Sequence, residues 1–134
     1  MSEAHRPERL RILVVDDNVE GGHLLGALLS QRGHHVAMAA TGEDALRVAK
    51  EFMPHVGMFD IAMPGMNGYA LAAEMRRDPD HRDMFLIAVT GWGEDQDRQK
   101  ALDAGFDAHV IKPADPDELN ALLTSRFPNL AGPR

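Results

Sequence analysis

Five short apolar runs punctuate the chain, and each is followed by a segment with helical spacing. The runs are RILVV (Arg11–Val15), HHVAMAA (His34–Ala40), HVGMFD (His55–Asp60), FLIAVT (Phe85–Thr90) and AHVI (Ala108–Ile111). No other feature constrains the fold as strongly. Four to seven residues is strand length, and β-branched residues dominate several of the runs. Strands that are apolar nearly throughout must be covered on both faces, which strict strand–helix alternation supplies through a parallel sheet between two helical layers. The predicted fold class is therefore α/β, with a five-stranded parallel sheet flanked by five helices. Right-handed crossovers bring the C-terminal end of every strand to one rim, where open α/β sheets bind ligands.

The intervening segments carry helix boundaries. Asn18 can cap a first helix with Leu24, Leu25, Leu28 and Leu29 on its inward face and Gly33 as its stop; Gly21, Gly22 and Gly26 weaken it. Thr41-Gly42-Glu43-Asp44 opens a second, with Ala45, Leu46, Val48, Ala49 and Phe52 apolar and Pro54 ending it. The spacing predicts further helices over Tyr69–Arg77, Glu94–Ala104 and Asp115–Arg126, the last with Leu119, Leu122 and Leu123 inward. The expected organisation is a flexible tail over 1–9, one folded domain over 10–127 and a short tail over 128–134. A length of 134 residues suits a single core.

Charge and composition narrow the partners. A net charge of −7 argues against nucleic acid. No apolar run approaches the length of a spanning helix, and the polar N-terminus lacks the apolar middle of a signal peptide. With no cysteine, thiolate metal sites and disulfides are excluded. A cytoplasmic domain with neither nucleic-acid nor membrane partner is expected.

What the strands deliver to their common rim is chemical. Strand one ends in Asp16 and Asp17, strand three in Asp60 and strand four in Thr90, and strand five leads to Lys112; strand two offers only Ala39 and Ala40. Crowded carboxylates repel unless a cation joins them, and an all-oxygen set suits Mg²⁺ or Mn²⁺ over zinc. A carboxylate beside such an ion can attack phosphorus to give an acyl phosphate, with Lys112 and the Thr90 hydroxyl contacting phosphoryl oxygens. Singly, these residues have plainer readings: an Asp pair before a helix is more often a cap, and Thr90 and Lys112 are ordinary strand-end polar residues. Most of the eight methionines sit at apolar positions and read as core filler, with the loop residues Met63 and Met66 packing locally. His34 and His35, on opposite sheet faces, do not make a metal site. The run EDQDRQK reads as a solvated helix face, with a partner-reading surface as its rival, and Trp92 as a contact or as packing over the site.

VVDD (Val14–Asp17), DIAMPGMNG (Asp60–Gly68), VTG (Val89–Gly91) and VIKP (Val110–Pro113) together resemble the receiver domain of two-component response regulators, and the stretches Val89–Gly93 and GFDAHVIKPADPDEL (Gly105–Leu119) look most like receivers attached to hybrid histidine kinases. The resemblance covers residues 11–126. It implies the flavodoxin-like strand order 2-1-3-4-5, which the patterning alone does not fix. It implies that Asp60 is the phospho-acceptor, Asp17 a direct Mg²⁺ ligand, Asp16 a ligand through water and the Ala62 backbone carbonyl a further ligand. Thr90 matches the switch hydroxyl, Lys112 the site lysine, and the bond before Pro113 is expected to be cis. Two positions depart from the family. His109 stands where a Tyr or Phe ring is usual, leaving a smaller, titratable ring to couple to Thr90. Ala62 cannot hydrogen-bond an attacking water, so modest autodephosphorylation is expected.

The implied function is a phosphorylation-controlled signalling switch. A histidine kinase or histidine phosphotransfer protein donates the phosphoryl group, and output runs through protein–protein binding or onward relay. The chain reads as a stand-alone protein of that receiver lineage or a piece of a longer one, Met1 and the short tails favouring the former, with no enzymatic turnover expected beyond its own phosphorylation and dephosphorylation. The alternatives are a Mg²⁺-dependent phosphohydrolase with an aspartyl-phosphate intermediate, which usually has a second acid where Ala62 stands, and a receiver that binds partners without phosphorylation. A flavin module would need a Gly- or Ser/Thr-rich phosphate loop after Val15.

Overall fold

The computed structural model describes residues 9–91 and 98–130. The order is β1 (Arg11–Val15), α1 (Val19–Gln31), β2 (His35–Ala39), α2 (Gly42–Phe52), β3 (Val56–Asp60), α3 (Gly68–Arg77), β4 (Phe85–Thr90), α4 (Arg98–Ala104), β5 (Ala108–Ile111) and α5 (Pro116–Arg126), with a 3-10 turn over Pro79–His81. All five strands pair in parallel in the order β2-β1-β3-β4-β5. This is the arrangement the resemblance implies, and β2 is an edge strand.

Period-two alternation sends residues of each strand into separate cores. Leu13, Val15, Phe59, Leu86 and Ala88 pack with Ala45 and Ala49 of α2, Leu71, Ala72 and Met75 of α3 and Ala101 of α4. Ile12, Val14, Val56, Met58, Ile87, Val89 and Val110 face the other way, against Leu29 of α1 and Leu119 and Leu123 of α5. Leu10 is fully buried in that second core, and Phe127 and Leu130 pack against it beyond α5. Met58, Met63, Met75 and Met84 are buried, in keeping with a filling role, and Met66 lies over Gly42.

Helix starts follow the caps read from sequence: Asn18 Oδ1 accepts from Gly21 N–H (3.1 Å) and Thr41 Oγ1 from Asp44 N–H (3.1 Å). The start of α3 is one residue earlier than expected, because Asn67 caps it by accepting from Ala70 N–H at 2.9 Å. Gly33 ends α1 with φ +93°.

Two expectations need correction. Leu24 was placed on the inward face of α1, yet it is 71 % exposed. Gly22 and Gly26 occupy that arc instead, and a Cβ on Gly26 would lie 3.3 Å from Met38 Sδ and 3.4 Å from Val36 Cγ1. The helix packs on β2 through its backbone. His34 was assigned to strand two, but the strand begins at His35 and the His34 ring turns toward Leu10. Trp92 and the stretch 94–97 of the polar run lie outside the described residues, as do 1–8 of the N-terminal tail and 131–134 of the C-terminal one. Among the described residues no helix is long and apolar enough to cross a membrane.

Candidate phosphoryl-transfer site

The rim at the C-terminal ends of β1, β3, β4 and β5 gathers the residues singled out above. Asp16 follows β1, and Asp60 is the last residue of β3. Asp16, Asp17 and Asp60 each place a carboxylate oxygen within 4.8 Å of the others. Among the described residues this is the one group of three or more potential metal-ligating side chains. Asp60 is 4 % exposed, Asp16 is nearly as buried, and Asp17 faces outward.

Lys112 answers this negative charge. Its Nζ lies 3.0 Å from Asp16 Oδ2 and 3.4 Å from Asp60 Oδ2. The backbone beside it is held by the Lys112 N–H, which donates to Thr90 O at 2.6 Å; the Lys112–Pro113 bond is cis, as expected. Burial alone would depress the ammonium, but the hydrogen bond to Asp16 and the charge of Asp60 outweigh it and hold Lys112 above its ordinary value. One lysine does not neutralise three acids. Burial pushes Asp60 up to about 6; the Ala62 N–H and Lys112 pull the other way, and Asp16 adds to the push. An oxygen-only cluster holding surplus negative charge fits a divalent cation.

The loop after β3 is held against the strand. Ala62 N–H donates to Asp60 Oδ1 (3.1 Å), Ile61 N–H to Val89 O (3.1 Å) and Gly68 N–H to Ile61 O (3.1 Å). A Cβ on Gly68 would stand 2.6 Å from Asp60 O and 2.9 Å from Ile61 Cα, so only glycine lets α3 begin this close to the acid. Asp16 is fixed similarly: its Oδ1 accepts from Asn18 N–H at 2.9 Å and its own N–H donates to Ala39 O at 3.1 Å.

Thr90 is 1 % exposed, and its Oγ1 lies 3.0 Å from His109 Nε2. The imidazole thus contacts the hydroxyl directly, a bond that a phenyl ring at this position could not make. Sequence reasoning missed one feature beside the acids. A cleft of about 300 Å³ adjoins Asp16 and Lys112 and is lined by Leu24, Leu25, Leu28, Val89 and Pro113. The signal for it was the surplus of leucines on α1, more than one buried stripe requires.

The five-stranded parallel sheet of this order, with acids, a hydroxyl and a lysine at the ends of four strands, places the chain among flavodoxin-like α/β proteins. The family profile for the response regulator receiver domain matches residues 12–124, and the chain belongs to that family. It is similar to a ycf27 protein of Guillardia theta, 38 % identical over 113 residues, which cover 84 % of this chain and 43 % of that protein. It therefore spans less than half of that relative. Among solved structures it is similar to the receiver domain of the sensor histidine kinase PA1611 of Pseudomonas aeruginosa, which has a magnesium ion coordinated in its active site cleft (TM-score 0.78, 29 % identity, 89 % of this chain and 97 % of that one). It is also similar to a CheY-like response regulator receiver domain protein of Methanospirillum hungatei (TM-score 0.79, 28 % identity, 90 % and 94 %).

Proposed function

We propose that this receiver domain is a phosphorylation-controlled switch whose acceptor is Asp60, supplied by a histidine kinase or a histidine phosphotransfer protein. The observation that carries the reading is the position of Lys112, whose ammonium is shared between Asp16 and Asp60 inside a three-carboxylate cluster. In the transfer, an Asp60 carboxylate oxygen forms the new P–O bond while the P–N bond of the donor phosphohistidine breaks. The imidazole nitrogen leaves with the electron pair. Lys112 then meets one phosphoryl oxygen, and the Thr90 hydroxyl donates to another.

The divalent ion, Mg²⁺ or Mn²⁺, offsets the charge that builds on phosphoryl and carboxylate oxygens when it is bound. Asp17, Asp60 and the Ala62 backbone carbonyl would hold it directly, and Asp16 would act through water. His109 relays the state of Thr90 toward the β5 surface. A new anion that pairs with Lys112 and Thr90 biases a two-state equilibrium, and a downstream protein or a further relay step reads the favoured state. The reading assigns the switch to residues 10–127 and to the cytoplasm. It gives the domain no nucleic-acid or membrane partner and no enzymatic turnover beyond making and losing its own acyl phosphate.

The test is intact mass after incubation with Mg²⁺ and acetyl phosphate, a small-molecule donor, with Asp60→Asn and a chelated sample as controls. One phosphoryl adduct that requires both the metal and Asp60 supports the reading. An adduct that survives Asp60→Asn overturns it. If none forms on folded protein, a histidine-phosphorylated donor protein replaces acetyl phosphate, and failure there overturns the reading as well.

A further inference from the structure

At the pole opposite the acids, two histidines finish the β1 ladder where backbone partners run out. Leu10, just before β1, is fully buried, and its N–H donates to His34 Nδ1 at 3.0 Å. Its carbonyl accepts from His35 N–H at 2.8 Å. On the other side of the strand, Arg11 N–H donates to His55 Nδ1 at 2.9 Å, and Arg11 O accepts from His55 N–H at 2.8 Å. In a parallel pair, a residue gives its N–H to one neighbouring carbonyl and receives the next N–H along on its own carbonyl. Here the accepting half of each pair is an imidazole nitrogen. The chain before β2 turns at Gly33 (φ +93°), and the chain before β3 turns at Met53 (φ 50°), so ring nitrogens stand where ladder carbonyls would.

We propose that His34 and His55 form an acid-sensitive latch on the start of β1, closed while both rings are neutral and opened when they take a proton. An imidazole accepts at Nδ1 only when that nitrogen carries no hydrogen, which requires the tautomer protonated at Nε2. The imidazolium is a donor at both nitrogens, and it would aim N–H at the N–H of Leu10 or Arg11. The buried Leu10 amide and the half-buried Arg11 amide would then each lose a partner and face a like dipole.

The surroundings reinforce the neutral form. His34 lies below its ordinary value because of burial first, then the charges of Arg32 at the end of α1, Arg9 of the N-terminal segment and His35 of β2. Burial and Arg11 of β1 do the same to His55, whose ring meets the edge of Phe127 after α5, with Arg126 over that phenyl ring. Every one of these charged or titratable neighbours is cationic when charged. An imidazole whose neutral form is favoured in the fold is protonated first in the unfolded chain. The latch therefore contributes in full above about pH 6.5 and weakens as pH falls below it.

The test reads the rings and the fold in the intact chain. Long-range ¹H–¹⁵N spectra of the wild type should show both rings protonated at Nε2 alone near pH 7.5, and both titrating below 6.5. Exchange of the Leu10 and Arg11 amides should accelerate at least about tenfold between pH 7.5 and pH 5.5, once corrected for intrinsic exchange. In a His34→Asn/His55→Asn variant the amide oxygen replaces Nδ1 as acceptor and does not titrate, so the acceleration should vanish. Acetyl phosphate labelling near pH 7.5 should be unchanged, because neither residue belongs to the acceptor site. Rings that titrate at or above 6.5, an Nδ1–H tautomer in either ring, or a variant that keeps the wild-type acceleration would overturn the latch. The ring measurements need no substitution, so poor folding of the variant leaves the proposal decidable.

Discussion

Replacing Asp60 by Asn should make the metal-free protein more stable, although it abolishes the proposed acceptor. The Asp60 side chain is 5 % exposed, and burial raises it from 3.8 to about 6 against the pull of Ala62 N–H and Lys112, with Asp16 adding to the rise. Ionising such a carboxyl in the fold costs on the order of 3 kcal/mol more than ionising it in the unfolded chain. The sign follows from proton binding. Between about pH 4 and pH 6 the folded protein holds this proton more tightly than the unfolded chain, so stability falls as pH rises, and above about 6 the whole penalty applies. Asn is neutral, keeps an oxygen for Ala62 N–H, and leaves Lys112 its 3.0 Å contact with Asp16.

The attraction of Lys112 is already contained in that shift, so the expected gain near pH 7.5 is about 2–3 kcal/mol, shrinking toward zero near pH 4. Urea unfolding of both proteins in chelator at these two pH values measures it. Added Mg²⁺ should then close or reverse the gap, because ligand binding stabilises the protein that keeps all three carboxylates. A variant less stable than wild type near neutrality without metal would refute the reasoning. So would a gap of the same size at both pH values.

Other substitutions probe the same rim. Gly68→Ala drives a methyl into the backbone of Asp60 and Ile61; it should cost roughly 2 kcal/mol or more in urea unfolding and slow acetyl phosphate labelling, since the acid itself must shift. His109→Phe leaves the buried Thr90 hydroxyl without its 3.0 Å partner and should cost about 1–2 kcal/mol, most of which Thr90→Ala in the same background should restore. Ala62→Asn offers an attacking water a hydrogen bond at an exposed position two residues past the acceptor; decay of the labelled protein by intact mass should be severalfold faster than in the wild type, and a slower decay contradicts the role given to Ala62.

Much of this was legible because the strands announce themselves twice, by an apolar run and by the polar residue that ends it. Singly a polar strand end means little, but four strands ending in polar groups on one rim let the site be assembled before any contact was known. Strand order was not legible from periodicity, which gives the same pattern for any permutation of parallel strands; the resemblance supplied it. Leu24 misled because amphipathicity counts side chains, whereas α1 meets β2 through Gly22 and Gly26, which have none. The roles of His34 and His55 left no periodic trace either. A ring that substitutes for a backbone carbonyl depends on where two turns end, and composition does not record that.

The two poles of the sheet respond to acid in opposite directions. Protonating Asp60 removes a buried charge and strengthens the fold, whereas protonating His34 and His55 breaks two bonds to backbone amides, one buried and one half-buried, and weakens it. Asp60 centres near 6 and both histidines lie below their ordinary value, so the opposing effects both fall on the acid side of neutrality. A shallow wild-type profile there would mean cancellation, not the absence of titrating groups. Removing one limb exposes the other: without metal, Asp60→Asn should lose stability more steeply on acidification than the wild type, and His34→Asn/His55→Asn should gain it. The substituted residues do not touch across the strand, so the two changes should add in a combined variant. If both variants instead kept the wild-type slope, neither pole of the sheet would govern the response of this fold to acid.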